Sequence, residues 1–174
     1  MRRKTIIVEQ DPARPSRGIL SLDDRTFPCV LGRGGARRDK HEGDGATPIG
    51  RFEMRRVLYR SDRIAQPQTS LPVAAIGPGD GWCDAPDDAA YNRPVTLPYR
   101  ARAESMMRAD GLYDVVVVLG HNDSPVVPGA GSAIFIHVAA PDGEPTAGCI
   151  ALSRDDLLAV LTAADADTVV EVRG

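Results

Sequence analysis

The chain has 174 residues, 43% hydrophobic and 26% charged, which is the size and make-up of one ordinary globular domain with a proper core, so residues 1–174 are expected to form a single unit. A net charge of −3, with arginines interleaved among Asp and Glu as in MRRVLYRSDR and LSRDDLL, argues against a nucleic-acid partner, which needs clustered positive charge. No apolar run approaches the roughly 18 residues of a membrane span, and the opening MRRKTIIVEQDPARP reaches Glu9 and Asp11 before a signal-peptide apolar region can form; the expected location is the cytoplasm, or the periplasm if a leader has been removed.

Short strand-like runs divided by Gly, Pro, Asp and Asn dominate the chain. KTIIV and GILSL read as strands, and SLDDRTFPCVLG reads as a hairpin turning at Asp23 and Asp24. GRGGARRDKHEGDGATPIG is a polar loop with six glycines, too rich in turn formers for regular structure. RFEMRRVLY alternates through Phe52 and Met54 into a strand, with Val57 and Tyr59 less regular. From SDRIAQPQTS to PDDAAYNRPVTLPY the chain reads as loop, and RARAESMMRADG as a short helix ended by Gly111. YDVVVVLGHN and SAIFIHVAA are apolar on both faces, as central strands of a sheet are. Ser153 with Asp156 three residues on makes a capping pattern before a helix striped by Leu157, Leu158, Leu161 and Ala164, and TVVEV is a last strand. The expected fold class is mainly β, with one or two peripheral helices and long loops.

Cys29, Cys83 and Cys149 are odd in number and lack CxxC spacing, so neither a disulfide framework nor a cysteine zinc cluster is suggested. Cys29, in FPCVLG, reads as a small buried hydrophobe. Cys149 stands apart because IHVAAPDGEPTAGCIAL, residues 136–152, places it twelve positions after His137, across a turn. A thiol is a nucleophile only as thiolate, so a histidine on a rigid strand suits it as a base. Gly148 lets the backbone adopt a conformation closed to other residues, and the amides of Gly148 and Cys149 are candidates for an oxyanion hole. On the residues alone the pair is either this machinery or two structural side chains.

Two separated motifs together resemble the YkuD-type L,D-transpeptidase catalytic domain. DGATPIGRFEM, residues 44–54, is similar to the family's T-P-x-G-x-F stretch, and residues 136–152 are similar to its histidine followed by G-C. The resemblance covers about residues 18–172 and implies a YkuD-like β-sandwich or barrel. It further implies acyl transfer on peptidoglycan stem peptides, with Cys149 as nucleophile, His137 as base, and neither metal nor organic cofactor. The implied partner is a stem peptide or muropeptide. In the cytoplasm the expected activity is an L,D-carboxypeptidase of muropeptide recycling, with L,D-transpeptidation or D-amino-acid exchange as the alternative. The sequence departs from the family pattern at Ala147, where a polar residue is common, at Val138, where glycine is usual, and at Ala151, where the family often has arginine. Carboxylate recognition must then come from elsewhere, and Arg154, Arg51 and Arg33 are candidates.

His121 and Asn122, at the end of VVVVLG, read as turn residues or as substrate contacts. Trp82 and Tyr91 line a cleft or fill a satellite core, and Tyr113 reads as structural. Two readings from other classes remain: a zinc hydrolase using His121, Asp123 and His137, and a non-enzymatic wall-binding module.

Overall fold

The structure is a computed structural model and describes residues 3–174. Alternating burial builds the first strands: β1 (Thr5–Asp11) buries Ile6 and Val8, β2 (Arg14–Leu22) buries Leu20 and Leu22, and β3 (Arg25–Val30) buries Phe27 and Cys29. β2 and β3 form the expected hairpin, with Leu22 opposite Arg25 and Asp23 in the left-handed region at φ 54°. Within the glycine-rich segment, expected to be wholly irregular, β4 (Ala36–Arg37) and β5 (Thr47–Pro48) make a two-residue parallel ladder.

The long strand β6 (Gly50–Tyr59) carries the alternating residues Phe52 and Met54. Its pairing slips by one residue at Arg55, so Val57 faces the core out of step with Met54, which explains the irregular spacing in the sequence. β7 (Val73–Ala75) follows in parallel beside β6. The stretch expected to be loop then yields β8 (Asp80–Cys83) and β9 (Pro94–Thr96), which with β10 (Ala103–Ser105), from the segment after it, form a separate three-stranded sheet in the order β10-β8-β9. This corrects the expected helix in RARAESMMRADG: Ala103–Ser105 pair with Gly81–Cys83, and Met106 is drawn into a core, so tertiary pairing overrides local helix propensity.

β11 (Val115–Leu119), β12 (Phe135–Val138), β13 (Ile150–Leu152), α1 (Arg154–Ala163) and β14 (Val169–Arg173) complete the chain. The main sheet runs β11-β12-β13-β3-β2-β1-β14-β6-β7, and a further ladder between β11 and β6 closes it into a barrel. Inside lie Val8, Leu20, Val117, Ile136, Ile150 and their neighbours. Helix α1 starts as expected, with Ser153 Oγ accepting the Asp156 N–H at 3.2 Å, and buries Leu157, Val160 and Leu161 in that interior. A second core joins the opposite face of the barrel wall, through Val116, Val118 and Phe135, to Trp82 of the small sheet, to Met106 just after it and to Tyr113. The apolar character of β11 and β12 on both faces thus reflects two cores on either side of one wall. Among the described residues, no helix is long and apolar enough to cross a membrane.

Candidate active site

Strands β12 and β13 run parallel, with Ile136 level with Ile150 and His137 level with Ala151. Cys149, one residue before that ladder, is therefore level with Phe135, whose N–H points at its Sγ at 3.4 Å. Side chains two apart along a strand, and those level on neighbouring strands, share a face. Phe135, His137, Cys149 and Ala151 accordingly all face away from the barrel interior, towards the second core. The sequence separation of twelve residues becomes a diagonal neighbour relation on one surface.

A network of short contacts fixes the turn before the cysteine. Thr146 Oγ1 donates to the Cys149 carbonyl at 2.6 Å and accepts the Gly148 N–H at 3.1 Å. Thr47, fully buried, accepts the Gly32 N–H at 2.9 Å and points its own hydroxyl towards the same Cys149 carbonyl at 3.5 Å. This contact is the physical link between the two separated sequence motifs. Gly148 has φ +140°, and a Cβ there would lie 2.8 Å from the Ala46 carbonyl oxygen, so both backbone conformation and close approach require glycine. Its amide is engaged by Thr146, whereas the Cys149 N–H has no hydrogen-bond partner among the described residues.

Cys149 is 8% exposed and His137 is 6% exposed. His137 Nδ1 lies 2.8 Å from the Val138 carbonyl oxygen, an acceptor, so Nδ1 carries the proton and Nε2 is left with its lone pair. Burial holds the imidazole neutral, pushing its pKa down to about 4, and pushes the Cys149 thiol up to about 12. The S–H donates to the Ala133 carbonyl at 3.2 Å. The resting pair is thus a neutral thiol and a neutral imidazole, and the thiol must turn from Ala133 before it gives up its proton.

Two cavities meet at Cys149. The first, of about 260 Å³, is lined by His137, Arg33, Arg108, Glu144 and Ala151; the second, of about 130 Å³, by Glu42, Asp84, Ser132 and Gly148. Cys149, Ala147, Tyr113 and Glu104 line both. Ala151, where the family often carries arginine, leaves space directly beside His137. Of the three arginine candidates, Arg33 lines the first cavity; Arg51 instead pairs with Glu171 at 2.8 Å, and Arg154 opens α1 beside a different groove.

His121 and Asn122 stand at neither cavity. His121 Nε2 bonds the Ala130 carbonyl at 3.0 Å, and Asn122 ties its own loop together through Val127 and Gly131. Among the described residues, no group of three His, Cys, Asp or Glu side chains is placed to hold a metal ion, so His121, Asp123 and His137 do not form the donor set that a zinc hydrolase would need. Trp82 lies edge-on to Phe135 at 5.0 Å in the second core, and the Tyr91 hydroxyl donates to Glu42 at 2.6 Å.

Three cavity residues carry no signal of a site in the sequence. Tyr113 sets its ring edge against His137, with centroids 5.3 Å apart, and donates its hydroxyl to the Glu104 carboxylate at 3.1 Å, while the Arg108 guanidinium lies 5.0 Å from the Tyr113 ring centroid. Burial raises Glu104 to about 7. Each is an isolated residue without motif spacing, and only the small sheet and the approach to β11 bring them together.

The L,D-transpeptidase catalytic domain (YkuD) family model matches residues 18–172. Among solved structures, the chain is similar to L,D-transpeptidase 1 of Mycobacterium tuberculosis, at 18% identity and a TM-score of 0.42 over 98% of this chain and 62% of that one. It is also similar to an L,D-transpeptidase of Mycobacterium smegmatis, at 14% identity and TM-score 0.41 over 98% of this chain and 59% of that one. For L,D-transpeptidase 3 of M. tuberculosis the values are 15% identity and TM-score 0.44, over 98% and 62% of the two chains. The chain spans about three-fifths of the length of these structures. No curated protein matches it. The family match contains both the Thr47–Phe52 motif and the His137–Cys149 segment, and the chain belongs to the L,D-transpeptidase catalytic domain family.

Proposed function

We propose that this chain carries out cysteine-dependent acyl transfer on peptidoglycan stem peptides, cleaving between the L-centre of the position-three diamino acid and the D-alanine that follows it. The observation that carries this reading is the His137 tautomer: with Nδ1–H held by the Val138 carbonyl, Nε2 is free to act in the cavity that Cys149 lines. Cys149 loses its proton to Nε2 and attacks the carbonyl, its own N–H receiving the oxyanion. The C–N bond breaks, D-alanine leaves with the proton from His137, and a thioester remains. Arg33 supplies positive charge for the substrate carboxylates in the first cavity, where the other guanidinium, that of Arg108, is already paired with Asp110.

The thioester is resolved by water, giving a tripeptide, and the protein acts as an L,D-carboxypeptidase on soluble muropeptides. The small second cavity, about 130 Å³, supports a small nucleophile over a second full stem. Exchange with a D-amino acid, or cross-linking, is the same chemistry with an amine in place of water.

The test is mass spectrometry of wild type, Cys149→Ala and His137→Ala after incubation with a tetrapeptide, alone and with a D-amino acid. Tripeptide formed by wild type and by neither variant supports hydrolysis, and an exchanged tetrapeptide moves the assignment to transpeptidation. Equal turnover by wild type and Cys149→Ala refutes the thiol mechanism. Binding of stem peptide without turnover would make the chain a wall-binding module.

A further inference from the structure

The two cavities at Cys149 differ in the acid–base groups they offer. His137 lines the first and is absent from the second, which holds three carboxylates, Glu42, Asp84 and Glu104. Two of these are committed elsewhere. Glu42 accepts hydrogen bonds from Tyr91 at 2.6 Å and Ser132 at 2.7 Å, and Asp84 is paired with Arg102 at 2.9 Å. Glu104 faces the Tyr113 hydroxyl, 3.2 and 3.1 Å from its two oxygens, and alone of the three lines both cavities beside the cysteine. A nucleophile that reaches the thioester through the second cavity therefore meets Glu104 and not His137.

We infer that Glu104 is a second catalytic residue, the general base that takes the proton of the incoming water or amine when the thioester is resolved, while His137 serves the acylation step. The inference rests on the acyl-transfer reading given above. In the step itself, the nucleophile's lone pair forms a bond to the acyl carbon and the carbonyl π pair moves to oxygen. The Glu104 carboxylate takes the nucleophile's proton. As the carbonyl re-forms, the C–S bond breaks with its electron pair going to Sγ, and the proton held by Glu104 passes to the sulfur. The cycle ends with a thiol and a carboxylate, as it began. An amine enters as the free base, having left its extra proton in solvent.

The surroundings of Glu104 poise it for this work. Burial, largest of the influences, raises it to about 7; the Tyr113 hydroxyl and the Arg108 charge pull it down, and the charges of Asp84 and Glu42 push it up. Its charge in turn disfavours the thiolate of Cys149, on which Lys40 and Arg108 act in the opposite sense. Once the sulfur is acylated that opposition disappears.

The test follows both half-reactions by quenched-flow intact-mass spectrometry, using a tetrapeptide ending in diamino acid and D-alanine. Glu104→Gln should acylate within about threefold of wild type and then hold the tripeptidyl adduct about 100-fold longer. In wild type the adduct's decay should quicken about tenfold per pH unit up to about pH 7 and then level. Equal adduct lifetimes in the two proteins overturn the inference. So does a Glu104→Gln protein that forms no adduct where wild type does, or a flat wild-type decay between pH 5 and 8, a measurement that needs no variant. If wild type itself neither forms an adduct nor releases D-alanine, it is the acyl-transfer reading that fails.

Discussion

Gly148→Ala separates two costs that usually arrive together. The backbone at 148 has φ +140°, a region that non-glycine residues hold at a cost of about 1–3 kcal/mol. The new Cβ would also lie 2.8 Å from the Ala46 carbonyl oxygen, a backbone atom that cannot simply rotate away. Gly43 is the control: its φ is +80°, but a Cβ there meets no atom within 4 Å. Gly43→Ala should thus cost about 1 kcal/mol, and Gly148→Ala about 3 kcal/mol. For a chain of this length each kcal/mol lowers the melting temperature by about 2–4 °C, giving a loss near 3 °C for the control and near 9 °C for Gly148→Ala. Thermal unfolding followed by circular dichroism reads both. Because Ala46 adjoins Thr47, which points at the Cys149 carbonyl, acylation by Gly148→Ala should also fall at least about tenfold at temperatures where it is folded. Matching melting temperatures for the two variants would refute the close-approach argument.

Thr47→Val leaves the buried Gly32 N–H without its acceptor and should cost about 2 kcal/mol in denaturant unfolding, with Thr47→Ser restoring most of it; no loss would mean that the hydrogen bond is dispensable. The resting Cys149 thiol, pushed up to about 12, should be alkylated by iodoacetamide at a rate that still climbs about tenfold per pH unit between pH 7 and 9, and a plateau by pH 7 would show a preformed thiolate. His137, lowered by burial from 6.5 to about 4, binds its proton more readily in the unfolded chain, so its contribution is complete above pH 6.5 and is lost as pH falls towards 4. His137→Gln should remove on the order of 3 kcal/mol of that acid-side decline in denaturant titrations, and parallel curves for the two proteins would refute the buried, neutral assignment.

What could be read from the chain depended on how local the determinants were. The β2–β3 hairpin announced itself through Asp23 and Asp24, and α1 through Ser153 and Asp156, because each rests on neighbours in sequence. The small sheet did not. β8, β9 and β10 have four, three and three residues, too few to show a period, and RARAESMMRADG contains good helix formers that yield only because Glu104 finds Trp82 across the ladder. The cavity followed the same division. His137 and Cys149 were legible through their motif, whereas Glu104, Arg108 and Tyr113 matter through a sheet that the sequence did not reveal. His121 and Asn122 drew notice because they end an apolar strand, yet their side chains are spent on holding the loop that follows.

The parallel pairing of β12 with β13 makes residues 139–148 a detour whose two ends are held by strands. Insertions or exchanges in PDGEP would reshape the wall formed by Glu144 and Pro145 while the ladder keeps the Cys149 thiol and the His137 imidazole at their fixed offset. Evolution, or an engineer, can then vary what the enzyme accepts as substrate without retuning how it reacts. A shift of one position in the ladder itself would be of another kind, turning the sulfur through the wall and away from the cavities altogether.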